Sequence, residues 1–373
     1  MHSTLPSINL QQPANDETEI SLFGPGAGES IVLHCGNGNW FIIDTFISSE
    51  TKLPIAIEYL ESLGLDPSIC VKGILLTHWH ADHTKGAFEL FKRCTSAKLY
   101  LPLSFNSHDF FCLMGLFSAD QFSSKANALG EYEKILRYVR QNNMKTRLAW
   151  IKNGHLFFDL RTDTHTRMIA LSPSDTTVVN AAAKFASLNP QDGDDRIVRI
   201  IGGSSENLGA VAVHFSFGSF SALLGSDLES RSAPEVGWSA VINADLYAQY
   251  SLSKAAVYKV AHHGSATGEH PDIWAKLLKD LPISIVTPFT PQANPLPLES
   301  DLNRLANYSS EVYLTRATAS AKPVRRDKMV EREMNSIVIS RKPIDRTAGH
   351  IQIRASEKGS ITTMSNAHVR IVK

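Results

Sequence analysis

Residues 71–83 read VKGILLTHWHADH. The first seven are mostly apolar and β-branched, so they predict a short buried strand. His78, His80, Asp82 and His83 follow at once, in a chain with only 14 histidines. That order constrains the fold, because ligands in covered sheets sit on loops just beyond strand C-termini. Continued extension would put residues 78, 80 and 82 on one side and turn His83 away. A compact turn instead lets two imidazoles face one ion while the carboxylate and third imidazole face another. These ligand types suit zinc, with manganese or iron as alternatives.

Elsewhere strands and helices alternate, which indicates covered sheets rather than an all-β protein. An Asn37-Gly38 turn between two apolar segments predicts a hairpin. Residues 52–64 predict a helix closed near Gly64, with Ile57, Leu60 and Leu63 on its buried stripe. A helical pattern recurs at 86–93, and a strand at 97–103. Further strands are expected at 168–173, in a hairpin over 210–229, in KAAVYK before HHGS, at 283–288 and at 311–315. PDIWAKLLKDL (271–281) predicts a helix.

Residues 104–145 interrupt this rhythm with an aromatic-rich stretch and an amphipathic helix. They form either a helical insertion packing its own aromatics or a lid or substrate wall. The segment 319–373 carries the basic stretch AKPVRRDKMVERE and strand candidates at NSIVISRK, GHIQIRAS and HVRIVK. It is either a small C-terminal β extension or the last strands of the main domain, 20–318.

Two more loops carry metal-ligating side chains. SALLGSDLE places Asp227 just beyond a strand, where a carboxylate could bridge two metals, and KVAHHGS places His262 and His263 beyond another. A lone aspartate there is usually a turn former or helix cap, so Asp227 gains weight only alongside the histidines. Asp44, in WFIIDTF, is a similar strand-end carboxylate, and it fits better as a hydrogen-bond support for a ligand histidine than as a ligand. GPGAGES (24–30) has Glu29 where a phosphate loop has its lysine, so a tight turn is the better account. His214 lies inside a presumed strand and reads as a packed or surface histidine.

These motifs resemble the metallo-β-lactamase fold superfamily, whose mark is H-x-H-x-D-H, matched by His78, His80, Asp82 and His83. The chain looks most similar to the metallo-hydrolase domain of bacterial DNA-uptake channel proteins. It shares with that branch GPGAGES, the pair Ile43-Asp44, a GD-like motif at Gly225-Ser226-Asp227, and H-H-G-S at 262–265. The resemblance covers roughly residues 20–315. It implies an α/β fold, an αββα sandwich with a two-metal site at the shared edge of its sheets. His78 and His80 would hold one ion, Asp82 and His83 the other, and Asp227 would stand between them. One of His262 and His263 should complete the second site, with His263 favoured, and its neighbour should face substrate oxygen. Two departures matter. Asn207 stands where the superfamily commonly has another histidine, which makes it a supporting or substitute ligand. Ser226 separates Gly225 from Asp227, where glycine and aspartate are usually adjacent, and Asp194, Asp195 or Glu229 are poorer substitutes for the bridge.

The implied chemistry is hydrolysis by hydroxide activated by two divalent metals, with Asp82 or Asp227 orienting it. Phosphodiesters, nucleic acid included, are the expected substrates, with Ser265, Lys322, Arg325 and Arg326 as phosphate contacts and Lys259 a weaker candidate. The alternatives are a lactone, thioester or amide hydrolase of the same fold, and a non-catalytic binding module. Lysine plus arginine equals aspartate plus glutamate, 37 each, so no whole-chain field recruits nucleic acid, although a local basic face remains open. MHSTLPSINLQQ has no signal-peptide pattern, apolar runs are strand-sized, and four cysteines form no CxxC pair. These features lead to the expectation of a cytoplasmic, non-membrane protein.

Overall fold

The apolar runs pair into two eight-stranded mixed sheets. The computed structural model describes residues 7–107, 109–111, 124–187, 207–290, 295–316 and 348–373. The first sheet takes β1 (Glu17–Gly24), β2 (Ser30–His34), β3 (Trp40–Ile43), β4 (Val71–Leu75), β5 (Lys98–Pro102) and β6 (Leu148–Ile151). The second takes β7 (Leu156–Arg161), β8 (His165–Ala170), β9 (Val213–Phe217), β10 (Phe220–Leu224), β11 (Ala255–Lys259), β12 (Leu278–Val286) and β13 (Glu311–Leu314). The final strands divide between them. β14 (Gly349–Ser356) and β15 (Ile361–Ser365) extend the first sheet beyond β1, while β16 (Arg370–Ile371) extends the second beyond β13.

Helices cover both outer faces. The first sheet carries α1 (Ile55–Ser62), α2 (Pro67–Cys70), α3 (Ala81–Thr84), α4 (Ala87–Arg93) and α5 (Ser124–Gln141) on its side of the molecule. The chain then supplies α6 (Asp175–Ala186), α7 (Gly237–Asn243), α8 (Leu246–Gln249) and α9 (Glu299–Tyr308). One apolar core lies between the sheets, where Leu22, Phe41 and Ile43 meet Phe215, Ala222 and Ile285. A second packs Ile57, Leu60, Leu90, Phe91 and Tyr132 onto the first sheet. The third packs Trp238, Leu302 and Leu305 around Tyr258 of the second. Each large apolar side chain buried this way contributes roughly 1.5–3 kcal/mol. The layers run helix, sheet, sheet, helix, an αββα sandwich.

Strand direction explains where chemistry can collect. β3 through β6 run parallel, as do β10 through β13. The loops after β3, β4, β10, β11 and β12 therefore leave neighbouring strands at C-terminal ends, and they carry Asp44, His78, Asp227, His262 and Thr287.

Local features follow the sequence in most places. Asn37 and Gly38 both have positive φ, 50° and 67°, in the β2–β3 turn. α1 ends before Gly64, whose φ of 73° closes it. The helix expected over 271–281 is shorter than predicted: helical backbone runs over 271–277, ending in the wide turn Ile273–Leu277, and Leu278 opens β12. Leu281 has a φ of 50° directly before Pro282, and proline excludes the helical region for its predecessor and removes a donor.

The 104–145 segment does two things where it is described. Phe105, Phe110, Leu129 and Tyr132 join the core over the first sheet, and Phe105 stacks on Trp79 at 5.4 Å. Lys322, Arg325, Arg326, the NSIVISRK strand, and Asp194 and Asp195 lie outside the described residues. Among the described residues no helix is long and apolar enough to cross a membrane.

Candidate metal centre

Three loops bring their ligating atoms into one space. Asp82, His83, Asp227 and His263 form one cluster, and His78, His80 and Asp227 another, with the candidate atoms of each within 4.8 Å of one another. Asp227 is common to both. Its Oδ2 lies 3.8 Å from His78 Nε2, 3.5 Å from His83 Nε2 and 3.3 Å from His263 Nε2. Asp82 Oδ2 stands 3.4 Å from His263 Nε2 and 3.7 Å from His83 Nε2. The turn that sequence spacing demanded is α3, which starts at Ala81 and puts Asp82 and His83 beside the two preceding histidines.

Hydrogen bonds behind the site fix which nitrogen faces it. His83 Nδ1 donates to Asp44 Oδ2 at 2.7 Å, and His263 Nδ1 donates to the Thr287 carbonyl at 2.9 Å. Thr77 gives its hydroxyl proton to Asp44 Oδ2 at 2.6 Å, so it accepts from His78 Nδ1 at 3.0 Å. All three rings thus present Nε2 forward, the usual outer support of a metal-binding imidazole. Asp44 also appears in a cluster with His78 and His83. Its oxygens are occupied, however, by Thr77 N (2.8 Å), the Thr77 hydroxyl and His83. It positions rather than ligates.

Ser226 absorbs the extra residue before Asp227. It adopts the left-handed region, φ 48°, and its hydroxyl donates to Thr77 Oγ1 at 2.7 Å. The added residue thereby returns Asp227 to the shared position. Glu229 serves Asn207 and Arg231 instead, accepting from Asn207 Nδ2 at 3.0 Å and pairing with Arg231 at 2.8 Å.

The donor set fits divalent cations. His78 Nε2, His83 Nε2, Asp227 Oδ1 and Asn207 Oδ1 are buried with no hydrogen-bond partner. Such atoms are rare in native interiors without an ion or water to satisfy them. Electrostatics agrees. Burial alone would depress His263, but the Asp227 and Asp82 carboxylates outweigh it and hold the ring at a pKa of about 10. The same contest raises His83 well above its ordinary value, against burial, through Asp227, Asp82 and Asp44. Asp227 is held well below the carboxylate range, its burial overcome by His263 and His83. Burial, and then His83 and His80, push His78 down. Without metal, two protons therefore balance two carboxylates where cations would sit.

The remaining candidates fall around this centre. His262 is outside both clusters: Thr267 Oγ1 lies 2.8 Å from its Nδ1 and Asn207 Nδ2 3.3 Å from its Nε2. Ser265 caps its own turn by accepting from Thr267 N at 3.3 Å. His214 is buried within β9, bonded to the Ser253 carbonyl at 2.9 Å and remote from the clusters in its contacts. Lys259 is a correction. It is fully buried, 2.6 Å from Glu29, and donates to the Ser226 carbonyl at 3.2 Å, so it cannot reach a substrate.

Several site residues escaped sequence reasoning. Thr77 and Thr287 orient His78 and His263, and Tyr132 OH donates to the His78 carbonyl at 3.2 Å. Glu29 ends the GPGAGES turn, accepts from the Thr287 hydroxyl, and donates its own N–H to the Asp82 carbonyl at 3.0 Å. Its position directly after a glycine-rich turn was the one available signal.

Residues 23–108 match the sequence profile of the metallo-beta-lactamase superfamily, a span that includes Asp44 and the first histidine cluster. No curated protein sequence matches the chain. Among solved structures it is similar to the metallo-beta-lactamase fold protein YhfI from Bacillus subtilis, with 12% identity and a TM-score of 0.38, over 81% of this chain and 96% of that one. It is also similar to the hydrolase AbOPH of the beta-lactamase superfamily, with 16% identity and a TM-score of 0.33, over 64% of this chain and 84% of that one.

Proposed function

We propose, from a metallo-β-lactamase-like αββα fold and two converging His/Asp clusters, that the chain is a two-metal hydrolase of uncharged acyl compounds such as lactones, thioesters, esters or amides. The observation that carries the metal dependence is that buried, partnerless atoms of His78, His83 and Asp227 belong to the converging clusters. His78 and His80 would hold one ion, Asp82, His83 and His263 the other, and Asp227 both, with Asn207 Oδ1 a further donor. Zinc suits this mixture, and manganese or iron are the alternatives. Divalent cations so held activate water and polarise the electrophile. Asp44, Thr77 and Thr287 engage the three Nδ1 atoms, so each Nε2 is aimed at the site and is the nitrogen that would give up its proton to a metal. His262, at the solvent edge, is the candidate contact for substrate oxygen.

The acyl preference rests on what surrounds the site. Trp79, between His78 and His80, is buried among Phe105, Phe110 and Phe185 at ring distances of 5.4–5.9 Å. Lys259 is committed to Glu29, and Arg231 to Glu229. A second reading, phosphodiester hydrolysis, is favoured by the likeness of Gly225–Asp227 and HHGS to the DNA-uptake branch, with Lys322, Arg325 and Arg326 as phosphate contacts.

The test is zinc- or manganese-reconstituted protein assayed on p-nitrophenyl acetate, a thioester, γ-butyrolactone and bis(p-nitrophenyl) phosphate, beside His80→Ala. Acyl turnover that His80→Ala abolishes supports the first reading. Turnover of the diester alone supports the second. Inactivity on all four leaves the binding module.

A further inference from the structure

A cavity of about 170 Å³ opens between the first histidine loop and α6. Trp79, Phe105 and Phe185 give it aromatic walls, and Ala181, Leu208 and Ser104 complete the part relevant here. Trp79 lies between His78 and His80 in the chain, and Leu208 directly follows Asn207. The loops that carry the metal-site donors therefore also form one wall of the cavity. An apolar cavity of about 150 Å³ is enough to take a benzene ring.

Thr177, Asn180 and Lys184 add polar side chains from α6, and two buried, unpartnered polar atoms set this cavity apart from a packing defect. Trp79 is 4% exposed and Ser104 2%, and neither Trp79 Nε1 nor Ser104 Oγ has a hydrogen-bond partner. Indole N–H can only donate, whereas a hydroxyl can donate or accept. A buried Trp N–H usually finds a partner, and a few convergent polar groups in an apolar pocket are the mark of a ligand site. Ordered water can satisfy both atoms in the free protein, and a ligand that displaces it has to bring an acceptor for Trp79.

We infer that this cavity is the subsite for an aryl-sized apolar group of the substrate that carries one hydrogen-bond acceptor, with Trp79 and Ser104 as its specificity-determining contacts. The inference rests on the acyl-hydrolase reading for the word substrate; the cavity and its two polar atoms do not. Ring-on-ring packing against Trp79, Phe105 and Phe185 selects a flat group, and the N–H selects an ether or carbonyl oxygen on it.

The experiment uses the full-length, metal-reconstituted protein. Phenoxyacetamide is titrated calorimetrically into wild type and Ala181→Phe, which fills the cavity from α6. Saturable one-to-one binding is expected, weakened about tenfold or more by the substitution, the range that apolar pocket contacts supply. Where Ala181→Phe fails to fold, Ala181→Leu should give a smaller weakening in the same direction. In parallel, kcat/KM is measured for the p-nitrophenyl esters of phenoxyacetate, 3-phenylpropionate and acetate. Ala181→Phe should lower the phenoxyacetyl-to-acetyl ratio about tenfold or more. Trp79→Phe, which keeps a ring and removes the N–H, should lower the phenoxyacetyl-to-phenylpropionyl ratio, because those two differ by one oxygen. Phenoxyacetamide binding without turnover of any ester would overturn the acyl-hydrolase reading and support the pocket. Ester turnover with ratios unmoved by either substitution, or phenoxyacetamide binding equal in wild type and Ala181→Phe, would overturn the subsite.

Discussion

Replacing Lys259 with methionine isolates the buried ion pair beneath the metal centre. Lys259 and Glu29 are both enclosed, at 0% and 1% exposure, with Nζ and Oε2 2.6 Å apart. Methionine keeps the volume and leaves the Glu29 carboxylate in a dry interior with only the Thr287 hydroxyl. Breaking a buried pair from one side costs about 3–5 kcal/mol. With unfolding entropy near 2.1 cal/mol/K per residue, a chain of this length loses roughly 1.3 °C of Tm per kcal/mol, so the expected drop is roughly 4–6 °C. The pair also ties loops together: Lys259 holds the Ser226 carbonyl and Glu29 N–H holds that of Asp82. Lys259→Met should therefore weaken metal binding as well as the fold. Removing both charges, as Lys259→Met with Glu29→Gln, should recover most of the stability, since no charge is then stranded. Urea denaturation of metal-free single and double variants gives the coupling. A single variant within about 1 kcal/mol of wild type, or a double variant as unstable as the single, would refute the argument.

The other predictions concern the site and the seam between the sheets. Because carboxylates hold His83 and His263 protonated near neutral pH, the latter up to about 10, metal binding at pH 7 should release at least about two protons. Affinity should then rise about a hundredfold per pH unit below that value; calorimetry in buffers of different ionisation enthalpy measures the release, and zero release contradicts the charge assignment. Asp44→Asn removes the charged acceptor behind His83 and should weaken metal binding about 10–100-fold by chelator competition, whereas unchanged affinity would show that Asp44 does not orient the ring. Gly349→Ala would bring a Cβ to 1.4 Å from the Thr315 carbonyl oxygen where β14 passes the second sheet, and should cost roughly 3 kcal/mol or more. A normal melting temperature would refute that close approach.

How much of this was legible in the sequence depended on residue chemistry. Histidines packed into a strand end have few ordinary uses, so His78, His80, Asp82, His83 and the 262–263 pair stood out before any fold was known. Alternating strands and helices indicated covered sheets, and the αββα sandwich came with the family resemblance, while β7 gave little signal because LFFDLR reads neither as a strict alternation nor as a buried run. Thr77 and Thr287 were invisible, since hydroxyl residues occur everywhere and only their aim distinguishes these. Lys259 misled because a lysine is normally solvated, and its partner Glu29 lies 230 positions away. The helix expected over 271–281 stops at Leu277, because its apolar period ran on toward a Leu281-Pro282 backbone that cannot be helical. Ser226 shows the reverse case: the one-residue departure from the expected spacing was visible, but its remedy, a left-handed backbone, was not.

Anomalous scattering at the zinc edge from crystals of zinc-reconstituted protein tests the central claim most directly. Two peaks are predicted: one about 2.0–2.2 Å from ligand atoms of His78 and His80, the other at that distance from Asp82, His83 and His263, with Asp227 touching both. Peaks confined to surface residues, or none at the junction of these loops, would contradict the account.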